Sequence, residues 1–249
     1  MLDILYRDDH LIAIDKPPGL LVHRSDLDRH ETRFAVQLLR DQIGRRVQPV
    51  HRLDRGTSGV LLFAFDPEVT RELSRQFEAN EVEKTYLAVV RGWPPEEGLI
   101  DHALSRRFDD YGRSLPDAPP QAAQTRYRRL ATIELPVTID RYPTARYALV
   151  ELQPLTGRQH QLRRHMKHIA HPIIGDATHG KGRHNRHFQQ EFGCGRLLLA
   201  CTRLVFRHPV TGEKVGVTAT VKDQFAELLE RFGWSYLPES GDATRSAVS

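Results

Sequence analysis

Residues 51–65 read His51-Arg-Leu-Asp-Arg-Gly-Thr-Ser-Gly-Val-Leu-Leu-Phe-Ala-Phe65. The first half places one carboxylate, Asp54, between Arg52 and Arg55, directly before a turn-forming run that carries hydroxyl groups. The second half is apolar and predicts a strand from Gly59 to Phe65 that is buried on both faces. A cation within about 4–6 Å favours the ionised form of a carboxylic acid. We therefore expect Asp54 to be charged and available as a nucleophile or a base, beside guanidinium groups that suit phosphate.

Asp54 also has a purely structural interpretation. An aspartate before Thr-Ser-Gly commonly accepts hydrogen bonds from nearby backbone amides and so stabilises a turn. A lone carboxylate is a weak functional signal, so the interpretation of Asp54 depends on the neighbouring segments.

The rest of the chain alternates between strand and helix patterns. Leu2–Tyr6 and Leu11–Ile14 predict a hairpin, Thr32–Ile43 predicts a helix that ends at Gly44, and Asp66-Pro67-Glu68 is a typical helix start. The further predicted strands are Thr85–Val90, Gln124–Ile133, Ala145–Leu152, Leu197–Phe206 and Gly216–Val221, and the further predicted helices are Gly157–His168 and a closing helix with Phe225, Leu228, Leu229 and Phe232. Because the strands lack regular βαβ alternation, we predict an α+β fold: a mainly antiparallel or mixed central sheet flanked by helices and loops.

The domain organisation follows from length and composition. The 249 residues are enough for one large domain, which we expect to span residues 1–237. The aperiodic stretch from about Arg106 to Ala123 predicts an excursion loop. Residues 238–249 are small and polar and predict a disordered tail.

Composition and cysteine usage narrow the class of protein. The net charge of +4 is a moderate basic bias, and the apolar fraction of 39% is that of a globular protein. Cys194 and Cys201 form neither a disulfide framework nor a CxxC metal pair, which fits a reducing compartment. The sequence has no signal-peptide pattern and no long apolar run. These features predict a cytoplasmic protein that does not enter a membrane.

Two further segments carry candidate site residues. Gly157-Arg-Gln-His-Gln-Leu-Arg-Arg-His165 crowds arginines and histidines together, and Arg163 is the natural long-reach partner for an active-site carboxylate. A solvated basic helix end is the alternative. Lys84 and Tyr86 open a predicted strand and share one of its faces, where a tyrosine ring can stack on a base. The alternative for Tyr86 is an ordinary aromatic residue of a sheet.

The histidines between residues 160 and 187 raise the question of a metal site. Their spacing matches neither HExxH nor a zinc-finger pattern, and the cysteines that a zinc finger needs are missing. The sequence also has no Walker loop, no GxGxxG followed by a ribose-binding acid and no GxSxG elbow. We expect neither a metal nor a cofactor.

Together, His51–Gly59, Glu83-Lys-Thr-Tyr86 and Gly157–Arg163 resemble the RluA-type family of RNA pseudouridine synthases. The resemblance also covers Asp15–Gly19 and His171–Asp176, and it spans roughly residues 1–235. One departure is Gln159, where the family more often has a small hydroxyl residue. The resemblance implies a pseudouridine synthase-like catalytic domain that isomerises a uridine of RNA after flipping it out of the stack, with no cofactor.

The resemblance also implies roles for individual residues. Asp54 is then the essential carboxylate, Arg163 its ion-pair partner, and Tyr86 the ring that stacks on the target base. Arg52 enters the vacated space or holds the phosphate, and Arg55 contacts the RNA backbone. The other expected substrate-contacting residues are His51, Thr57, Lys84, Arg158, His160 and Gln161.

Within the family, three stretches of the sequence are similar to those of the bacterial members that modify position 65 of tRNA: Leu21–Ser25, Arg40–Gly44 and Arg141–Thr144. A tRNA is therefore the expected partner, with rRNA or another tRNA site as the alternative, and we expect a monomer without an N-terminal RNA-binding appendage. Two other functions stay open. An RNA-binding module without catalysis would have no special need for Asp54, and a metal-dependent phosphoesterase would use the histidine-rich region.

Overall fold

The computed structural model describes residues 1–23, 31–106, 115 and 117–238. Within these residues the strands are β1 (Asp3–Arg7), β2 (Leu11–Lys16), β3 (Gln48–Pro49), β4 (Ser58–Ala64), β5 (Glu83–Arg91), β6 (Glu97–Asp101), β7 (Leu104–Ser105), β8 (Pro120–Gln121), β9 (Gln124–Leu135), β10 (Ala145–Pro154), β11 (Leu199–Arg207) and β12 (Lys214–Thr218). The helices are α1 (Ala35–Ile43), α2 (Pro67–Glu78), α3 (Gln161–His168), α4 (Gly182–Phe192) and α5 (Asp223–Arg231).

One large sheet organises the described part of the chain. Its ten strands follow the order β1-β2-β4-β11-β5-β10-β9-β6, with β12 paired to β11 and β3 paired to β4, and β7 and β8 pair separately. Neighbouring strands are antiparallel, except that β4 and β11 run parallel. The predicted α+β class with a mainly antiparallel, mixed sheet is confirmed.

Strand β4 lies in the middle of this sheet, and all of its residues are buried. Gly59 is required there, because its φ is 103° and a Cβ atom would lie 2.0 Å from the carbonyl oxygen of Cys201 on β11. The close approach of β4 to β11 holds the preceding loop, which carries Asp54, against the middle of the sheet.

Both faces of the sheet are covered. One buried cluster surrounds β2, β4 and α1 and includes Leu61 and Phe63. A second cluster packs α4 and α5 on β5 and β10 and includes Tyr147, Phe188 and Phe225. Because both sides of the central strands are buried, the strand ends and the loops next to them are the places for polar chemistry.

Several local predictions are confirmed. The hairpin of β1 and β2 forms as expected, and Gly44 ends α1 with a φ of 64°. Asp66 caps α2, since its side chain accepts a hydrogen bond from the Val69 amide at 3.1 Å, and Pro67 occupies the first helical position.

Other local predictions are wrong. Helix α3 begins at Gln161 instead of Gly157, and His160 precedes it with a left-handed φ of 53°. Helix α4 and strand β6 were not predicted. Part of the predicted loop from Arg106 to Ala123 forms the short strand β8, whereas residues 107–114 and 116 lie outside the described residues, as does the predicted tail from residue 239 onward. None of the helices in the described ranges has the length and apolar character that a membrane span requires.

Candidate active site

A cleft of about 760 Å³ opens where the loop before β4, the start of β5 and the segment before α3 meet. Ten of the residues predicted from the sequence line it: His51, Arg52, Asp54, Thr57, Lys84, Tyr86, Arg158, His160, Gln161 and Arg163. These residues come from three distant segments of the chain, and the sheet brings the three segments together.

Asp54 lies in the loop between β3 and β4, and 27% of its side chain is exposed. Its carbonyl oxygen accepts a hydrogen bond from the Thr57 amide at 3.0 Å, which closes the turn before β4. Its carboxylate does not serve this turn. The Asp54 Oδ2 atom accepts a hydrogen bond from Arg163 Nη1 at 2.9 Å. The Asp54 carboxylate therefore joins the loop to α3 and faces the cleft.

Arg163 has a second acidic partner, Asp176. Arg163 Nε donates to Asp176 Oδ2 at 2.7 Å, and Arg163 Nη2 donates to Asp176 Oδ1 at 2.8 Å. Burial alone would raise the pKa of Asp176, but the hydrogen bonds from Arg163 and from the His179 amide lower it below its ordinary value. Burial opposes the charged form of Arg163, yet Asp176 and Asp54 raise its pKa. The guanidinium is thus fixed between two carboxylates.

Sequence reasoning did not assign a role to Asp176. The sequence carries only a weak signal for such a role. A Gly-Asp pair follows two buried isoleucines, Ile173 and Ile174, which is a pattern typical of the end of a strand. Its contact with Arg163 bridges only 13 positions of chain, but no periodic pattern connects a loop residue to a helix residue.

Tyr86 lies on β5 opposite Cys201 of β11. Burial, with Cys201 beside it, raises the pKa of Tyr86 well above its ordinary value. The hydroxyl is therefore neutral over the physiological range. The ring lines the cleft that Asp54 faces, so it is placed to meet a planar ligand there.

His51 supports the cleft from one side. Its ring stacks on Phe77 of α2 at a centroid distance of 4.5 Å, and its Nε2 accepts a hydrogen bond from the Leu62 amide at 3.0 Å. Burial, together with Lys84 nearby, lowers the pKa of His51 to about 3. His51 is therefore neutral and fixes the Asp54 loop to β4, and its expected contact with substrate stays a prediction.

Lys84 lies on β5, near His51. Its Nζ donates to the Val82 carbonyl oxygen at 3.1 Å, and burial lowers its pKa. Lys84 and Tyr86 both line the cleft, as the two-residue period of a strand predicts.

Gln161 and Arg158 hold the segment before α3. The Gln161 side chain is buried and makes four hydrogen bonds, which leave it little capacity for substrate; they join it to the Thr156 hydroxyl, the Arg158 amide, the Gln124 carbonyl oxygen and the Thr125 hydroxyl. Arg158 is exposed and donates to the Ala122 carbonyl oxygen at 3.1 Å. These bonds replace a helical turn, which is why residues 157–160 are not helical.

Arg52 and Arg55 have different surroundings. Arg52 is exposed and lines the cleft. Arg55 is not among the lining residues; it pairs with Glu31 and donates from Nε to the Gly19 carbonyl oxygen at 3.1 Å. Arg163 supplies a cation in direct contact with the Asp54 carboxylate, and the RNA contacts expected of Arg52 and Arg55 stay predictions.

The comparisons with known proteins show which family the chain belongs to. Residues 10–168, which include Asp54, Tyr86 and Arg163, match the RNA pseudouridylate synthase family. The chain belongs to this family. The resemblance inferred from the sequence is thus confirmed at the level of the family, which is one of RNA isomerases.

Individual relatives extend the likeness beyond residue 168. The chain is 53% identical over 242 residues to tRNA pseudouridine synthase C of Pectobacterium carotovorum subsp. carotovorum, with 96% of this chain and 64% of that protein covered. It is 53% identical over 237 residues to tRNA pseudouridine synthase C of Yersinia pestis, with 94% and 92% covered. The solved structure of Human RNA Pseudouridylate Synthase Domain Containing 4 has a TM-score of 0.66 and 25% identity over 93% of each chain.

A buried lysine, Lys16, contacts the loop that carries Asp54. Lys16 is fully buried. Its Nζ donates to the carbonyl oxygens of Pro17, Leu20 and Arg55 at 2.9, 2.8 and 3.1 Å. Lys16 therefore joins the turn after β2 to the backbone directly after Asp54.

Several histidines between residues 160 and 187 make hydrogen bonds within the fold. His165 contacts Thr125, and His184 contacts Tyr147 and Asp140. His171 contacts the Arg91 carbonyl oxygen. Over the described ranges, no group of three or more His, Cys, Asp or Glu side chains is arranged to hold a metal ion. The absence of a metal and of a cofactor stays a prediction.

Proposed function

We propose that the protein isomerises a uridine of tRNA to pseudouridine, with Asp54 as the essential carboxylate. The observation that carries this proposal is the pair of Asp54 Oδ2 and Arg163 Nη1, 2.9 Å apart, beside the ring of Tyr86 in one cleft. A non-catalytic RNA-binding surface gives no reason to fix one carboxylate among cations that attract phosphate.

The target uridine has to leave the base stack to reach Asp54. Extruding a nucleotide costs a few kcal/mol, which stacking on a protein ring and phosphate contacts offset. Tyr86 supplies the ring, and the exposed guanidinium of Arg52 supplies a contact to phosphate or to the vacated space.

The reaction leaves the elemental composition of the uridine unchanged. The bond between N1 and C1′ breaks, the uracil turns within the cleft, and C5 bonds to C1′. The proton on C5 leaves, and N1 gains one. The Oδ1 atom of Asp54, which Arg163 does not hold, serves an attack on C1′, an addition to the base or removal of the 2′ proton equally well.

The substrate class comes from the relatives. Their printed names describe synthases of tRNA, and the chain matches the Yersinia pestis protein over 92% of that protein's length. These names support a tRNA substrate. The sequence similarity at Arg40–Gly44 and Arg141–Thr144 supports position 65 as the target. We further propose that one catalytic domain over residues 1–237 acts as a monomer in the cytoplasm.

Chemical or mass-spectrometric mapping of pseudouridine tests this function. Unmodified tRNA and rRNA are incubated with the protein, and each RNA is mapped before and after. We expect a new pseudouridine at position 65 of tRNA. A new site only in rRNA would contradict the tRNA assignment, and no new site in either RNA would contradict catalysis.

A further inference from the structure

Asp54 and four polar residues around it form a closed ring of contacts. Arg163 contacts Asp54 at 2.9 Å and Asp176 at 2.7 Å. The His179 amide donates to Asp176 Oδ1 at 2.8 Å, and the His179 ring nitrogen Nε2 lies 3.2 Å from His160 Nδ1. The ring closes where His160 Nε2 lies 3.9 Å from Asp54 Oδ1.

His160 is held in an unusual backbone conformation. Its φ of 53° and ψ of 28° are left-handed, which costs free energy for a residue other than glycine and persists only where surrounding contacts enforce it. Those contacts are the side chain of His179, which is 3% exposed, and the Arg164 amide, which donates to the His160 carbonyl oxygen at 2.9 Å. In this conformation the His160 imidazole lies between His179 and Asp54.

The two oxygens of Asp54 have different surroundings. Arg163 holds Oδ2 by a direct hydrogen bond. Oδ1 lies 3.9 Å from His160 Nε2, which is too long for a hydrogen bond but short enough for a charge on the imidazole to attract it. The protonation state of His160 therefore affects Asp54 Oδ1, the oxygen that has no direct hydrogen bond to Arg163.

We propose that His160, held by His179, is a positioning residue for Asp54. Its neutral form leaves Asp54 Oδ1 available to the uridine, and its protonated form draws Oδ1 into an ion pair and slows isomerisation. This inference rests on the proposed function, because it concerns the carboxylate that carries that reaction.

Charged and titratable groups face His160 from three elements. Asp54 comes from the loop before β4, Arg163 and Arg164 come from α3, and Asp176 and His179 follow α3. Burial lowers the pKa of His160 below its ordinary value, Asp54 raises it and Arg163 lowers it, with a net decrease. The His160 imidazole therefore takes up a proton at a lower pH than an unperturbed histidine does.

The first test measures kcat and KM on tRNA between pH 5.5 and 8. For the wild-type protein we expect kcat to fall on the acid side by about tenfold per pH unit once His160 is protonated. His160→Asn should lose this acid limb, and its KM should change less than its kcat, because the residue acts through Asp54. Asparagine is chosen because it tolerates the left-handed backbone.

The matched control is His168→Asn, at the exposed end of α3, where the ring stacks on His102. This variant should keep the acid limb of the wild-type protein. The same acid limb in His160→Asn as in the wild-type protein would overturn the proposal, and so would a wild-type kcat that stays constant through the pH at which His160 takes up its proton, as NMR measures it below.

The second test does not depend on activity. Imidazole resonances of the full-length protein are titrated by NMR in the wild type and in Asp54→Asn, with the His171 ring as internal reference. Because the Asp54 carboxylate raises the pKa of His160, we expect that pKa to fall in Asp54→Asn. An unchanged His160 titration would contradict the coupling. A wild-type protein that forms no pseudouridine at any pH would contradict the proposed function, and the NMR comparison would still decide the coupling.

Discussion

Asp176 binds Arg163 through both carboxylate oxygens, at 2.7 Å from Oδ2 to Nε and at 2.8 Å from Oδ1 to Nη2. The same carboxylate accepts hydrogen bonds from the amides of Thr178 and His179. The orientation of the guanidinium is therefore set by the loop after α3, and its remaining nitrogen, Nη1, is directed at Asp54. The ion pair in the cleft depends on a third residue that no substrate needs to touch.

Asp176→Asn should impair both stability and turnover. Removing one partner of a buried ion pair costs about 3–5 kcal/mol of unfolding free energy. A misplaced Arg163 should lower kcat on tRNA by about a hundredfold, because small displacements in a site are costly. Urea unfolding and steady-state kinetics measure the two effects. Asp140→Asn, which alters the partly exposed pair with Arg91, is the control. A wild-type kcat in Asp176→Asn would contradict the role of Asp176.

The stability that Asp176 contributes should depend on pH in one direction. Its pKa is lower in the folded protein than in the unfolded chain, so the unfolded state takes up the proton first as the pH falls. The difference in unfolding free energy between the wild type and Asp176→Asn should be constant above about pH 4 and shrink below it. A difference that grows on acidification would contradict this assignment.

Tyr86→Phe and Tyr86→Ala separate the ring from the hydroxyl. The alanine variant loses stacking on the flipped base, which is worth about 1–3 kcal/mol, and kcat/KM should fall accordingly. The phenylalanine variant keeps the ring and should lose less. Since burial raises the pKa of Tyr86 well above its ordinary value, neither variant should change the alkaline side of the kcat profile. Equal losses in both variants would exclude stacking as the role.

His51 should make the fold sensitive to acid. Its pKa is lowered to about 3 by burial, whereas the unfolded chain titrates near 6.5. Between these values the unfolded state binds more protons, so the unfolding free energy should fall as the pH drops from about 6.5 toward 3. Urea unfolding at pH 7.5 and 4.5 should show a smaller drop for His51→Gln, which keeps an acceptor for the Leu62 amide. An equal drop in the exposed variant His168→Gln and in His51→Gln would contradict the argument.

Arg52 and Arg55 form a matched pair for measuring phosphate contacts. Arg52 is exposed in the cleft, whereas Arg55 is occupied by Glu31 and the Gly19 carbonyl oxygen. Arg52→Gln should reduce the slope of log Kd for tRNA against log salt by about one. Arg55→Gln should change that slope less. The reverse order would show that the RNA displaces the Glu31 pair.

Local rules predicted the elements whose signals lie in adjacent residues. Asp66 and Pro67 start a helix by capping and by a preset φ, and the apolar run after Gly59 can be satisfied only inside a sheet. The grouping of Asp54, Tyr86 and Arg163 was predicted from family resemblance, since no spacing rule connects three segments so far apart.

The misses have physical causes. Residues 157–160 were assigned to a helix because their spacing fits one. In the structure the Gln161 side chain accepts a hydrogen bond from the Arg158 amide at 3.0 Å, which stabilises a turn instead. Helix α4 is rich in His, Arg and Gln and buries only His184 and Phe188, so it has no apolar stripe to detect. The roles of Asp176 and Lys16 arise from contacts between segments that are separate in the sequence.

Release of tritium from tRNA that carries [5-³H]uridine tests the central claim most directly, because the C5 hydrogen leaves only when C5 bonds to C1′. The wild-type protein should release tritium, and Asp54→Asn should bind the same tRNA and release none. Release by Asp54→Asn at the wild-type rate would contradict the account, because the carboxylate that Arg163 holds would then not be needed for the reaction.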